Sequence, residues 1–194
     1  MIIKKKRIIF IHINRTGGSS IDSILSSFFN IDIFKRHQSV QEIIERMGIS
    51  DYRKFYTFTI VRNPWDRLVS KYLWSLQCTK TLNNKTTFKY YVNNISFFRK
   101  KERRKRFDAF WDQLSWITHK DEIVVNDVFR FENFRSNAKK IFNKIGVKKY
   151  HIPHKKKTNR KHYSLYYNDD IKKKVSELYR RDIDYFDYQF EDKR

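Results

Sequence analysis

The chain of 194 residues has few of the residues that cross-link or break a fold: one cysteine, two prolines and four glycines. A lone cysteine, Cys78, excludes an intramolecular disulfide and a cysteine-based zinc cluster. It falls in an apolar helical pattern, so the expectation is an inert core thiol, compatible with a reducing compartment. No apolar run approaches the ~18 residues that a bilayer span needs. The basic start, MIIKKKR, runs straight into an apolar stretch, with no h-region or small-residue cleavage site behind it. The expectation is therefore a soluble, unprocessed, cytoplasmic chain without a membrane span. Acidic residues are scarce as well, 21 against 43 basic ones, for a net charge of +22. Such an excess points to a polyanionic partner or an anionic cofactor. Nucleic acid, an acidic glycan and an anionic membrane surface are the candidates. Abundant Lys, Ile and Asn with low Gly and Pro also follow from nucleotide bias, so the charge is discounted as a sign of function.

What is present argues for a folded protein. Hydrophobic residues at 40% and aromatics at 17% argue against global disorder. The length fits one domain, residues 1–194, with a sizeable core. The most informative stretch is Ile8–Ile24. Ile8 to Ile13 are β-branched and aromatic and read as a short buried strand. Asn14–Ser20 then forms a loop holding two of the glycines, Gly17 and Gly18. Ile21, Ile24, Leu25 and Phe28 follow at helical spacing, predicting a helix over about 19–29. Strand, glycine loop and helix N-terminus in that order make an anion site, because the first N–H groups of the helix point outward at its positive end. Arg15 adds a full charge, and Thr16, Ser19 and Ser20 add hydroxyl donors. A plain structural turn would use the same glycines for positive φ and a serine as cap. The loop is not a Walker A loop, since no Lys-Ser/Thr follows its second glycine.

Further along, Ile31–Phe34 reads as a short second strand, with His37 in the loop behind it. Ser39 and Glu42 form a capping-box pattern before Val40, Ile43, Ile44 and Met47, and Gly48 ends that helix. Phe55–Val61 is apolar almost throughout, as in a central strand covered on both faces. Arg62 stands at its exit; Asn63, Pro64 and Asp66 suit the start of the helix that carries Leu68, Val69, Tyr72, Leu73 and Leu76. This is a second strand–turn–helix unit with an arginine at the strand tip. Thr79–Thr87 is loop-like, and the runs at 99–106 and 155–161 are strongly basic, each either a solvated face or a polyanion contact. Helical spacing returns at Phe107, Phe110, Trp111 and Leu114. Ile123–Phe131 predicts a strand, Glu132–Ile145 a helix ended by Gly146, and Asp169–Arg181 a helix capped by Asn168. The aromatic end, IDYFDYQF, is expected to dock on the body. Alternating strands and helices predict a mainly parallel sheet with helices on both faces, where ligands bind at the carboxyl ends of the strands. Arg15, His37 and Arg62 all fall at such ends.

These segments together resemble a known family. FIHINRTGGSS is similar to the 5′-phosphosulfate loop of carbohydrate sulfotransferases, commonly H-x-P-K-T-G/A-G-T-S. TIVRNPWDRLVSKY resembles their 3′-phosphate motif, an arginine at the strand exit with a serine eight residues on. FKRHQSVQEI, VFRFENF and KHYSLYY…YRRDIDYFDYQF match in the same order, so the resemblance covers nearly the whole chain. The group it points to includes heparan sulfate 2-O-sulfotransferases and microbial members.

The resemblance implies a three-layer α/β/α protein of the P-loop-NTPase-like sulfotransferase fold. The implied reaction is metal-independent, in-line transfer of a sulfuryl group from PAPS (3′-phosphoadenylyl sulfate) to a hydroxyl, leaving PAP. The acceptor would be a glycan or another hydroxylated molecule, and the basic runs favour an anionic one. By this likeness Arg15, Thr16, Gly17, Gly18, Ser19 and Ser20 hold the phosphosulfate, Arg62 and Ser70 hold the 3′-phosphate, and Arg160 lies near the cofactor. Arg15 stands where the family usually has lysine. It keeps the charge but cannot give up a proton at neutral pH. Asn14 replaces the usual proline. His37 matches the family's histidine after the second strand and suits a general base, because imidazole titrates near neutrality; capping the helix at Ser39 is its structural alternative. His12 reads as a loop-positioning residue. The H-x-x-H of His151 and His154 lacks accompanying carboxylates or cysteines, so no metal is expected. Three other readings stay open: a basic nucleic-acid-binding protein, a P-loop-type nucleotide kinase with a divergent loop, and a family member that binds PAP but, with Arg15 in place of lysine, has lost catalysis.

Overall fold

A computed structural model describes residues 1–31, 37–78, 82–101, 111–152 and 160–194. Its strands are β1 (Ile2–Ile3), β2 (Ile8–Ile11), β3 (Tyr56–Val61), β4 (Thr118–His119), β5 (Glu122–Ile123) and β6 (Asp127–Arg130). Its α-helices are α1 (Gly18–Phe28), α2 (Val40–Met47), α3 (Ile49–Tyr52), α4 (Pro64–Cys78), α5 (Phe88–Asn93), α6 (Ile95–Lys101), α7 (Leu114–Ile117), α8 (Phe134–Lys144), α9 (Asp169–Leu178) and α10 (Arg180–Tyr185). They build a mixed α/β protein with a mainly parallel central sheet and surrounding helices, as expected. The chain divides into two compact units, Met1–Arg62 with Gln113–Lys156, and Asn63–Asp112 with Lys157–Arg194.

The first unit holds the central sheet, ordered β1-β2-β3-β6. β2, β3 and β6 run parallel, and only β1 is antiparallel. Phe10 lies opposite Phe58 in this register, their rings stacked with centroids 4.9 Å apart. Ile8, Phe10, Phe58 and Ile60 meet Ile21, Ile24 and Leu25 of α1 and Ala138, Ile141 and Phe142 of α8 in one core. Fully burying side chains of this size stabilises by roughly 1.5–3 kcal/mol each. Ile9, Ile11 and Val61, which alternate with these along the strands, are buried too, as a sheet covered on both faces requires. α2 begins with the capping box read from the sequence: the Ser39 hydroxyl accepts from the Glu42 N–H, and the Glu42 carboxylate accepts from the Ser39 N–H. Gly48, at φ 81°, ends it.

In the second unit α4 also starts as its sequence suggests. Asn63 Oδ1 accepts from the N–H groups of Trp65 and Asp66, and Pro64 is the first helical residue. Asn168 caps α9 by accepting from the Ile171 N–H. The aromatic C-terminal segment docks within this unit, with Phe190 edge-on to Trp65, Tyr163 and Tyr167.

Several expectations change. Cys78 is exposed, because it is the last residue of α4 and lies beyond the buried stripe, so it is not a core thiol. The strand expected over Ile123–Phe131 is broken into β5 and β6. Asn126 interrupts it, its side-chain oxygen accepting from both the N–H and the hydroxyl of Thr57 where a backbone ladder would have continued. The helix expected over Glu132–Ile145 starts later, a 3-10 turn at Phe131–Asn133 preceding α8. That expected over Asp169–Arg181 breaks at Tyr179, at φ −115°, into α9 and α10. Most of the expected strand Ile31–Phe34 and the helical residues Phe107 and Phe110 lie outside the described residues. So do most of the two basic runs.

Away from the strand tips, Asp127 accepts from Tyr56 Oη and from Lys144 Nζ, each at 2.6 Å. Burial works to raise the Asp127 pKa, but these bonds outweigh it and hold it below the usual carboxylate value. The contribution is therefore present above the unfolded pKa and is lost as pH falls through the lower folded one. Allowing for solvent screening, it is worth about 1 kcal/mol. Asp127→Asn is expected to lower the melting temperature by ~2–4 °C at neutral pH. The deficit should close as pH drops below the carboxylate range, as followed by circular dichroism; a deficit unchanged at low pH would contradict this.

Candidate active site at the strand tips of the first unit

β2 is followed by two buried residues, His12 and Ile13, before the chain turns. The turn is made by two left-handed residues, Arg15 at φ 69° and Gly17 at φ 83°. Alternating left-handed residues aim successive N–H groups to one side, the concavity that holds anions. The Thr16 hydroxyl donates to the Ile13 carbonyl (2.9 Å) and closes the turn from inside. Its one proton is thus engaged in the loop. Ser20 N–H bonds back to Gly17 O (3.0 Å) as α1 begins. The N-cap of α1 is Gly17, which has no side chain to cap it, and the first turn holds no acid. The positive end of the helix is therefore met by a loop, not by a carboxylate.

Both glycines are required by close approach. A Cβ on Gly18 would sit 2.2 Å from His12 Cδ2. One on Gly17 would sit 2.9 Å from the Phe131 ring, and its φ is left-handed besides. Ser19 and Arg15 are half-buried and Ser20 is buried.

Arg62 leaves β3 at the same end of the sheet. It is buried, and its Nη1 donates to the carbonyl of Arg15 (2.9 Å). Its guanidinium lies over the Phe131 ring, 4.1 Å from the centroid, a cation–π contact. Its peptide is gripped by the buried amide of Gln113. Gln113 Oε1 accepts from Arg62 N–H and Gln113 Nε2 donates to Arg62 O, both at 2.8 Å. Phe131 and Phe134, following β6, close the group from the third strand.

His37 completes the cluster. Its Nδ1 is 3.0 Å from the carbonyl oxygen of His12, and its ring packs edge-on against the His12 ring with centroids 4.3 Å apart. A carbonyl only accepts, so Nδ1 carries the hydrogen and the neutral ring holds its lone pair at Nε2. The first unit thus brings together Arg15, Thr16, Gly17, Gly18, Ser19, Ser20, His37 and Arg62. Ser70 and Arg160 belong to the second unit. There Ser70 is buried on α4, and Arg160 forms an ion pair with Asp66 in the first turn of α4. The sequence reading gave no role to Asp22, Gln113, Phe131 or Phe134. Phe131 and Phe134 stood in the matched FENF segment, whereas nothing local marks Gln113.

These features define an α/β protein with a left-handed glycine loop, a buried arginine and an imidazole gathered at the strand tips of its central sheet. Residues 1–189 match the model of the Sulfotransferase family, and the chain belongs to that family. It is an enzyme of sulfuryl transfer. No curated protein and no solved structure matches it. Among the described residues no cluster of His, Cys, Asp and Glu is arranged to hold a metal, and no helix is long and apolar enough to cross a membrane.

The crowding at Gly18 gives a direct check. Gly18→Ala should destabilise the protein by about 1–3 kcal/mol, as overpacking does. Gly146→Ala, where a Cβ meets nothing within 4 Å, should carry only the cost of its positive φ. Chemical denaturation of the two variants tests this, and equal losses would contradict it.

Proposed function

We propose that the chain transfers a sulfuryl group from PAPS to a hydroxyl of a glycan or other acceptor, in the manner of the heparan sulfate 2-O-sulfotransferase group. The observation that carries this reading is the convergence at one sheet end. The left-handed loop at the start of α1, the buried Arg62 bonded to that loop and the His37 imidazole all meet there.

Sulfuryl transfer, like phosphoryl transfer, is mostly positioning and charge stabilisation. In this reading the N–H groups of the loop and the first turn of α1 hold the 5′-phosphosulfate, with Ser19 and Ser20 beside them. Arg15 lies at the bridging oxygen, where negative charge develops as the sulfur–oxygen bond breaks. His37 Nε2 takes the proton of the acceptor hydroxyl as its oxygen bonds to sulfur. The 3′-phosphate falls to Arg62 and to Ser70, the latter on the motif match alone, and Arg160 remains a cofactor candidate on the same ground. Each charge-assisted hydrogen bond is worth roughly 1.5–3 kcal/mol. Arginine at position 15 serves as an electrostatic stabiliser and not as an acid. The abundance of positive charge favours an anionic acceptor.

Thermal-shift screening of PAP and PAPS against ATP and NAD, with and without Mg²⁺, tests the donor. PAP and PAPS should raise the melting temperature without Mg²⁺, since a ligand stabilises the state it binds. A shift seen only with ATP and Mg²⁺ would favour a kinase instead. With the donor established, Arg15→Ala should leave the fold intact and cut turnover by ~10²–10³, the loss typical of an oxyanion-type donor. Unchanged turnover would remove Arg15 from the mechanism. Arg62→Ala should weaken PAP binding by roughly ten- to a hundredfold in calorimetry, and equal affinity would refute its assignment.

A further inference from the structure

His12 is the residue on which both constraints on His37 converge. Its carbonyl accepts the His37 Nδ1–H, and its ring supports the plane of the His37 ring. Its own side chain is buried and held on every side described. The Phe10 ring stacks on it at 5.4 Å. Its Cδ2 and Nε2 edge lies against Gly18, the first residue of α1. Its Nδ1 lies 2.8 Å from Asp22 Oδ2, a close contact and not an aligned hydrogen bond. Asp22 itself is buried on α1, next to the apolar residues Ile21, Ile24 and Leu25. Placing a carboxylate in such surroundings costs several kcal/mol unless its charge is answered. The adjacent imidazole answers part of that charge, and the buried Met1 ammonium, whose charged form Asp22 favours, answers another part.

We propose that His12 and Asp22 form a positioning pair that fixes the His37 ring relative to the anion loop. The pair acts through His37 and touches neither donor nor acceptor. The proposal rests on the reading of His37 as the base. α1 begins at the loop and carries Asp22 one turn further on. Asp22 holds His12, and His12 holds His37. The distance between the anion-binding helix end and the base is thereby set by buried groups. The same chain of contacts puts a carboxylate one imidazole away from His37.

Two measurements test this, and the first needs no activity. Nitrogen-15 NMR of the histidine rings in the full chain should show His37 as the Nδ1–H tautomer. His12→Ala should shift it toward the tautomer mixture of a solvated imidazole, while His12→Phe, which restores a ring but not the contact with Asp22, should recover the wild-type signal only in part. An unchanged His37 signal in His12→Ala would overturn the proposal. Should that variant not fold, the near-isosteric Asp22→Asn is read in the same way. The second measurement is a double-mutant cycle. Asp22→Asn should lower kcat by ~10-fold or more, as misplacement of a reacting group does, with PAP affinity unchanged and no further loss in a His37→Asn background. An equal loss in both backgrounds, or a parallel loss of PAP affinity, would mark a merely structural role and overturn it. A wild-type chain that fails to transfer sulfuryl from PAPS would defeat the function proposed above, and the NMR outcome would still decide the pair.

Discussion

One bond holds the candidate site in shape: the Arg62 guanidinium donating to the carbonyl of Arg15. Arg15 is left-handed, a conformation that costs a non-glycine residue about 1 kcal/mol or more. A carbonyl turned toward a buried cation offsets that cost. Fixing this peptide fixes the direction of the N–H groups that follow it, and with them the concavity at the start of α1. Arg62 is itself immobilised from two sides. Gln113 clamps its peptide as a neighbouring strand would, and Phe131 lies under its guanidinium. The three parallel strands therefore meet at this cluster: β2 supplies the loop, β3 the arginine and β6 the aromatic floor.

This arrangement suits a reaction in which charge moves and little covalent work falls to the protein. Preorganised donors stabilise developing charge because they need no reorganisation at the moment of reaction. The loop shows how that preorganisation is built. The Thr16 hydroxyl is turned inward to close the turn. Gly17 and Gly18 admit the Phe131 and His12 rings where any side chain would collide. The glycines are thus not simply flexible points: they allow aromatic and imidazole rings to brace the backbone from beneath. In the proposed reaction the braced backbone faces the donor and His37 faces the acceptor.

Much of this was legible in the sequence where the signal is local. The β2 and β3 strands stand out by composition. The Ser39–Glu42 capping box, the Asn63 and Asn168 caps and the Gly48 stop are chemical rules operating over three or four residues, and all are found in place. The strand tips carrying Arg15 and Arg62 follow from strand–turn–helix order. What was not legible depends on partners distant in the chain. Gln113 reaches back 51 residues to Arg62, and no spacing announces it. The Asn126 interruption answers to Thr57, so Ile123–Phe131 looked continuous until its neighbour strand was known. Cys78 followed the apolar period of α4 but came after its last buried turn. Asp22 carried a hint that could have been used, an acid among the apolar residues of a core helix.

The structure of the chain crystallised with PAP tests the central claim most directly. The account predicts the 5′-phosphate within hydrogen-bonding distance of the N–H groups around Gly17–Ser19, with the Arg15 side chain on the same group and the Arg62–Arg15 carbonyl bond intact. A nucleotide bound with its 5′-phosphate away from this loop would contradict it.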